Sequence, residues 1–291
     1  MIMIDREKCI PCPKCVDVCP SRIYTWKAPE EEVPRVEIEN QEFCILCGHC
    51  VAICPEDAVL HEKLPLESFT PLEAVKITAE ALRNLMLSRR SIRAYKSDPV
   101  PRIVIEQLLE VAIHAGTASN RQDVAFTVVQ DKKVLAELET EVLLTLWNQS
   151  KRLGNPLLRR LARFKYGESQ IQAYYRYYKV FKRRMEMKER ISDVILRGAP
   201  AVIILHTPGR HTLEEANCAL SIANMTVLAQ TMGLGVCWGG FVVDAAHRSS
   251  RINRILEIPK FRKIMGCLMI GYPKHRYLKR IPRNQPNVKW L

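Results

Sequence analysis

The sequence predicts an α+β protein built in two parts, a small cysteine-rich module followed by a larger body of helices and strands. Three observations lead there. The first 62 residues hold eight of the chain's eleven cysteines, in two copies of one spacing. The same stretch is acidic, with twelve Asp and Glu against six Lys and Arg, whereas the chain as a whole carries +13, so the remainder sums to +19. Beyond it, β-prone apolar runs at residues 125–129, 201–206 and 264–271 alternate with amphipathic helical patterns. A chain of 291 residues has core enough for one large domain and one small one.

The cysteines carry the plainest chemistry. Residues 9–20 read Cys-Ile-Pro-Cys-Pro-Lys-Cys-Val-Asp-Val-Cys-Pro, and residues 44–55 repeat the spacing, C-x2-C-x2-C-x3-C-P. A 4Fe-4S cube takes three thiolates from one tight loop and its fourth from a distant cysteine, and in runs of this spacing the fourth cysteine ligates the other cluster. Two clusters are therefore expected, one on Cys9, Cys12, Cys15 and Cys54, the other on Cys44, Cys47, Cys50 and Cys19. Cys-x-x-Cys pairs also bind zinc, but a threefold run closed by Cys-Pro and given twice favours iron and sulfur. Cys218, Cys237 and Cys267 lie among apolar neighbours and read as buried thiols, which suits a reducing, cytoplasmic setting.

The module is expected to span residues 1–62, with extended segments at 21–26 and 57–61 after each cysteine run and an acidic hairpin or loop at 27–42 containing Pro29 and Pro34. Residues 63–70 read as a linker. Thr70-Pro71-Leu72-Glu73 has the form of a helix start, with Leu72, Val75, Ala79, Leu82 and Met86 on one face, so the second domain is expected over 71–291. That helix runs into Arg89-Arg90-Ser91-Ile92-Arg93, whose guanidinium forks and hydroxyl suit a phosphate. A basic helix end also answers the macrodipole, so the cluster alone does not decide. A second helix is expected over 102–114 and a long one over 213–232, the latter ending at Gly233-Leu234-Gly235-Val236-Cys237-Trp238-Gly239-Gly240.

In this order, the R-x-S-x-R pattern of Arg89, Ser91 and Arg93, the Asn-x-Gln element of Asn120 and Gln122, and the Gly-Leu-Gly-x-Cys-Trp segment resemble the nitroreductase family of FMN enzymes, in its branch with an N-terminal two-cluster ferredoxin domain. The resemblance implies a mixed, mainly antiparallel sheet flanked by helices, FMN as cofactor, and a homodimer with FMN at the interface. It implies that Arg89, Arg90, Ser91 and Arg93 hold the phosphate and ribityl chain, and that Asn120 and Gln122 meet the ring. It also implies that Gly239 and Gly240 bring backbone amides to the ring's reactive edge, with Arg280 returning from the tail to the phosphate. Asp123 and Val124 stand where many relatives have proline and tryptophan, and Gly116 where proline is common.

Residues 151–190 carry thirteen Lys and Arg against three acids, with Tyr174, Tyr175, Tyr177 and Tyr178 clustered. They read either as two amphipathic helices with a solvated basic face or as a lid, at about 150–192, whose tyrosines stack on a planar substrate. Nucleic-acid or membrane contact is a lesser reading of the same charge. The expected activity is FMN-dependent reduction of a small planar substrate such as a nitroaromatic, fed by the clusters from a donor protein or NAD(P)H. Other flavin reductions (an activated double bond, reductive dehalogenation, flavin itself) or electron delivery to a partner protein are the alternatives. None of the seven histidines stands out as an acid or base.

Overall fold

The computed structural model describes residues 1–27, 35–187 and 193–291; part of the expected acidic loop and the end of the basic segment lie outside the described residues. The chain forms two compact units, one of Met1–Ile77 with Thr117–Arg121, the other of Thr78–Gly116 with Gln122–Leu291. No helix among the described residues is long and apolar enough to cross a membrane.

The first unit consists of β1 (Ile2–Ile4), α1 (Lys14–Val18), β2 (Tyr24–Lys27), β3 (Arg35–Ile38), α2 (His49–Ala52) and β4 (Val59–His61). The chain ends of the module are tied together by β1 and β4, which pair antiparallel with Ile2 opposite His61. The hairpin expected around residues 27–42 is present as the antiparallel pair β2–β3. The sequence repeat becomes a structural one: α1 and α2 each carry the third cysteine of their run, Cys15 and Cys50, into a core with Ile2, Ile23, Val36, Val51 and Val59. So small an apolar core is marginal by itself, and the inward-facing thiols offer the missing cross-links.

The second unit opens on α3 (Ala79–Ser88), not at residue 71 as the capping pattern suggested. Thr78 Oγ accepts the Ala81 N–H at 3.1 Å and caps it. Upstream, Leu72 and Val75 are almost fully exposed, so a helix there would bury no apolar face against the described residues. Thr78→Ala should lower stability by about 1 kcal/mol and Thr70→Ala by well under half of that, which denaturant unfolding of the two variants resolves.

There follow α4 (Arg102–Ile113), β5 (Ala125–Val129), α5 (Lys132–Ser150), α6 (Pro156–Tyr166), α7 (Glu168–Met187), β6 (Ala201–Thr207), α8 (Glu214–Thr231), β7 (Gly235–Trp238), α9 (Gly240–Ala246), α10 (Ser250–Ile255) and β8 (Lys263–Gly271). The strands form one sheet in the order β5-β6-β8-β7, antiparallel at every described pairing. All seven residues of β6 are buried. Val202 and Ile204 join a core with Leu138, Val142 and Met269, while Ala201, Ile203 and Leu205 face Leu108, Met225 and Leu268. This alternation is the period-two geometry of a strand covered by helices on both faces, and it explains why β6 reads as an unbroken apolar run.

At the end of β6, buried His206 accepts the Arg262 Nε–H on Nδ1 at 2.6 Å, which places its own proton on Nε2, 3.2 Å from Thr127 Oγ1. Burial and then the Arg262 charge push its pKa down from 6.5 to about 4. The neutral ring is the folded form, so the stability it contributes is complete above pH 6.5. It is lost as pH falls toward 4, because the unfolded chain takes up the proton first. We expect stability to fall by at most about 1.4 kcal/mol per pH unit in that window from this residue. Unfolding at stepped pH should show a shallower slope in His206→Gln than in the wild type over this window.

Candidate functional site

In the first unit the eight cysteines gather in two groups of four. Cys9, Cys12, Cys15 and Cys54 line one small apolar cavity with Ile4, and Cys19, Cys44, Cys47 and Cys50 line a second with Ile23. Each group thus takes three cysteines from one run and the fourth from the other. Burial, with the neighbouring thiols adding, pushes Cys15 up to about 11 and raises Cys9. Four thiolates at such a spot need a cationic cluster to carry their charge. Donors already aim at the sulfurs: the amides of Ala58 and Leu46 reach Cys54 at 3.2 Å and Cys44 at 3.4 Å. The buried Tyr24 hydroxyl lies beside Cys50, with no hydrogen-bond partner of good geometry among the described residues. These donors and thiols fit two iron–sulfur clusters.

Sequence reasoning missed Tyr24 and His61 of this shell. Buried His61 accepts the Lys63 amide on Nδ1, so its proton sits on Nε2, 3.7 Å from Cys44 Sγ. His49, the histidine that its place between cysteines singles out, is exposed. The signal for His61 was strand β4, whose alternation turns Val59 and His61 to the inside. Asn120 belongs to this unit too, its Nδ2 donating to the carbonyls of Ile45 and Leu46 at 3.1 and 2.8 Å, between Cys44 and Cys47. Ser119, Asn120 and Gln122 all have positive φ, 53°, 52° and 49°, an uncommon run for residues with a side chain.

In the second unit a cavity of about 990 Å³ is lined by Arg93, Trp238, Gly239 and Gly240 and by Tyr174 and Tyr177 of α7. Arg93 is held there because the segment before it runs along the sheet edge: the Ile92 amide donates to Val236 O at 2.9 Å, and Ile92 packs directly on Gly235. The Gly239 amide is engaged by Cys267 O at 2.8 Å, whereas Gly240 starts α9, where first-turn amides lack helical acceptors. A Cβ on Gly240 would meet only the Trp238 ring, at 3.6 Å, so any larger side chain would grow into the cavity.

Arg89, Arg90 and Ser91 follow the end of α3. Arg90 donates to Leu87 O and Arg89 O, and its Nη2 to Lys279 O at 3.1 Å; Arg280 reaches Asn84 Oδ1 at 2.8 Å. The C-terminal tail is thereby held against the arginine cluster. Arg90 Nε is enclosed and has no hydrogen-bond partner among the described residues, a donor suited to an anion. Neither Asn120 nor Gln122 is among the residues lining the cavity.

The basic segment divides its aromatic residues between two tasks. Tyr178 stacks on Trp147 and Tyr175, with Arg159 over the Tyr175 ring, fastening the helices to the body. Tyr177 meets Phe241 edge-on at 5.2 Å and faces the cavity with Tyr174 and Tyr166. Sequence reasoning missed Arg197, which also lines the cavity. It sits at φ 59° in a loop whose amides at Ile195, Leu196 and Gly198 are all gathered by the Asp193 carboxylate.

Paired four-thiol cavities and a cationic, glycine-walled cavity beside an antiparallel sheet define an iron–sulfur oxidoreductase. Residues 86–272 match the nitroreductase family and residues 1–55 a 4Fe-4S dicluster domain. The chain belongs to the nitroreductase family. It is 24% identical over 216 residues to the FMN reductase (NAD(P)H) of Bacillus subtilis strain 168, covering 72% of each chain. Nitroreductase structures with bound FMN from Bacteroides fragilis NCTC 9343 and Desulfitobacterium hafniense DCB-2 superpose with TM-scores of 0.55 and 0.53. Both are 18% identical, over 72% of this chain and 98% of theirs, a likeness that establishes the fold.

Proposed function

We propose that the protein is an FMN-dependent reductase whose N-terminal cysteine-rich module receives single electrons and whose larger body delivers them in pairs to a small planar substrate such as a nitroaromatic. The observation that carries this reading is the co-occurrence in one chain of two four-thiol cavities and a cationic cavity with aromatic walls. The FMN named for the Bacillus, Bacteroides and Desulfitobacterium relatives supports the choice of flavin. Bound clusters supply one-electron transfer, and a bound flavin supplies the conversion of single electrons into hydride.

The chain's own residues then have distinct tasks. Cys9, Cys12, Cys15 and Cys54 hold one cluster, and Cys44, Cys47, Cys50 and Cys19 the other, with His61 and Tyr24 donating to sulfur. Arg89, Arg90, Ser91, Arg93 and Arg280 hold the phosphate and ribityl chain, and Gly239 and Gly240 wall the space for the ring, with the Gly240 amide as its donor. Tyr174, Tyr177 and Trp238 offer flat faces to a planar substrate, Arg197 favours an anionic group on it, and α6 and α7 keep water out.

A cytoplasmic homodimer completes the proposal. Leu72, Val75, Leu278 and Trp290 are each more than four-fifths exposed, apolar surface that a second copy would cover. The test is anaerobic turnover of the purified protein with nitrobenzoate, using either NAD(P)H or a reduced ferredoxin-type donor. Consumption of nitrobenzoate with either donor supports the reading. Absence of turnover with any small acceptor, together with a co-purifying redox protein, would instead make the chain an electron-transfer subunit.

A further inference from the structure

The basic segment holds a helix whose two sides do different things. Residues 151–166 carry six Lys and Arg and no acid. Within them α6 is set by its own local signals. Asn155 Oδ1 accepts the Leu157 and Leu158 amides at 2.9 and 3.3 Å, Pro156 takes the first helical position, and Gly167, at φ 81°, follows the last. The inner side is fastened to the body. Ala162 and Tyr166 line the large cavity, and the Arg159 guanidinium lies 4.1 Å from the centre of the Tyr175 ring while donating to Leu153 O at 3.0 Å.

The outer side is apolar and bare. Leu157, Leu161 and Phe164 follow the i, i+4, i+7 spacing of one helical face and are 72%, 66% and 86% exposed. Arg160 and Lys165 are exposed as well. With 3.6 residues per turn they fall on opposite flanks of the apolar stripe. Arg163 is paired with Glu168 at 3.0 Å, whereas neither Arg160 nor Lys165 has a carboxylate partner among the described residues. Three large apolar side chains standing together in water mark an interaction surface.

We propose that the outer face of α6 docks on an anionic lipid surface. Charge leaves membrane contact as one reading of several, and the placement of the apolar residues decides among them. Nucleic acid would satisfy the cations but give the two leucines nothing to bury against. A second copy would bring like charge to like charge, because residues 151–190 of each carry thirteen Lys and Arg against three acids. An anionic bilayer answers both features. Leu157, Leu161 and Phe164 enter the boundary of the acyl chains, and Arg160 and Lys165 meet headgroup phosphates on either side. The helix is capped and fastened before contact, so docking costs no folding. Its inner face lines the cavity, so docking sets that cavity one helix diameter, about 10–12 Å, from the lipid. This surface goes beyond the reductase reading and does not depend on it.

The test is sedimentation of the full-length protein, clusters and flavin loaded, with vesicles of equal parts phosphatidylglycerol and phosphatidylcholine or of phosphatidylcholine alone. The expected result is binding to the anionic vesicles about tenfold tighter than to the neutral ones, weakened by salt. Leu161→Ser with Phe164→Ser should lose about tenfold in that affinity, with iron content, flavin content and oligomeric mass unchanged. Arg160→Glu with Lys165→Glu should abolish the preference for anionic vesicles. No sedimentation of the wild type, or equal sedimentation of wild type and both variants, would overturn the proposal. So would a fall in oligomeric mass in the Leu161 and Phe164 variant, which would make the stripe an interface between copies. Binding to a DNA duplex in place of vesicles, lost in the Arg160 and Lys165 variant, would overturn it in favour of nucleic acid.

Discussion

Cys44→Ala should purify with about half the iron of the wild type, because it removes a ligand from one four-thiol cavity and leaves the other whole. Cys19, Cys47 and Cys50 keep their positions in that cavity, since β1–β4 and β2–β3 hold the module independently of Cys44. Flavin content should stay within error of the wild type, because the phosphate and ring contacts come from other residues. Reduction of the flavin by a one-electron donor should slow by at least tenfold, followed at the flavin absorbance after rapid mixing. A variant that lost its flavin along with half its iron would show that the two cofactor sites do not form separately.

Gly235→Val should have the largest effect on the flavin without touching any cofactor ligand. A Cβ at residue 235 would lie 2.6 Å from Ile92 Cγ1 and 2.9 Å from both its Cβ and Cγ2. That contact is with the root of a β-branched side chain, which cannot swing away, so the segment carrying Ser91 and Arg93 must shift off the sheet edge. We expect a loss of about 1–3 kcal/mol in stability and at least a tenfold weaker hold on FMN, with iron content unchanged. Gly116→Ala is the control, because nothing lies within 4 Å of a Cβ there. Flavin release on dilution and denaturant unfolding of the two variants separate the outcomes.

What was legible in the sequence was whatever local spacing or period dictates. Strand β5 and helix α8 fall within a residue of their expected ends, because apolar period and turn residues bound them on both sides. The sorting of the cysteines three-and-one follows from the same logic: a short loop carries three, and pairing of the chain ends brings the fourth. Helix α3 starts at Ala79 and not near residue 71 because Thr70 and Thr78 have similar capping chemistry, and only packing chooses between them. His61 and Arg197 were invisible because what surrounds them depends on the fold and not on local spacing. Asn120 could be placed in a pattern, but its hydrogen bonds to the Cys44–Cys47 loop depend on the fold.

The most direct test of the account is an anaerobic reduction titration of the purified protein, following flavin and iron–sulfur absorbance separately while a reduced one-electron donor, NADH or NADPH is added. The account predicts that the one-electron donor reduces the flavin fully and rapidly in the wild type and slowly in Cys44→Ala. Equal flavin reduction rates in the two proteins would contradict it, because the clusters would then lie outside the path by which the flavin is charged.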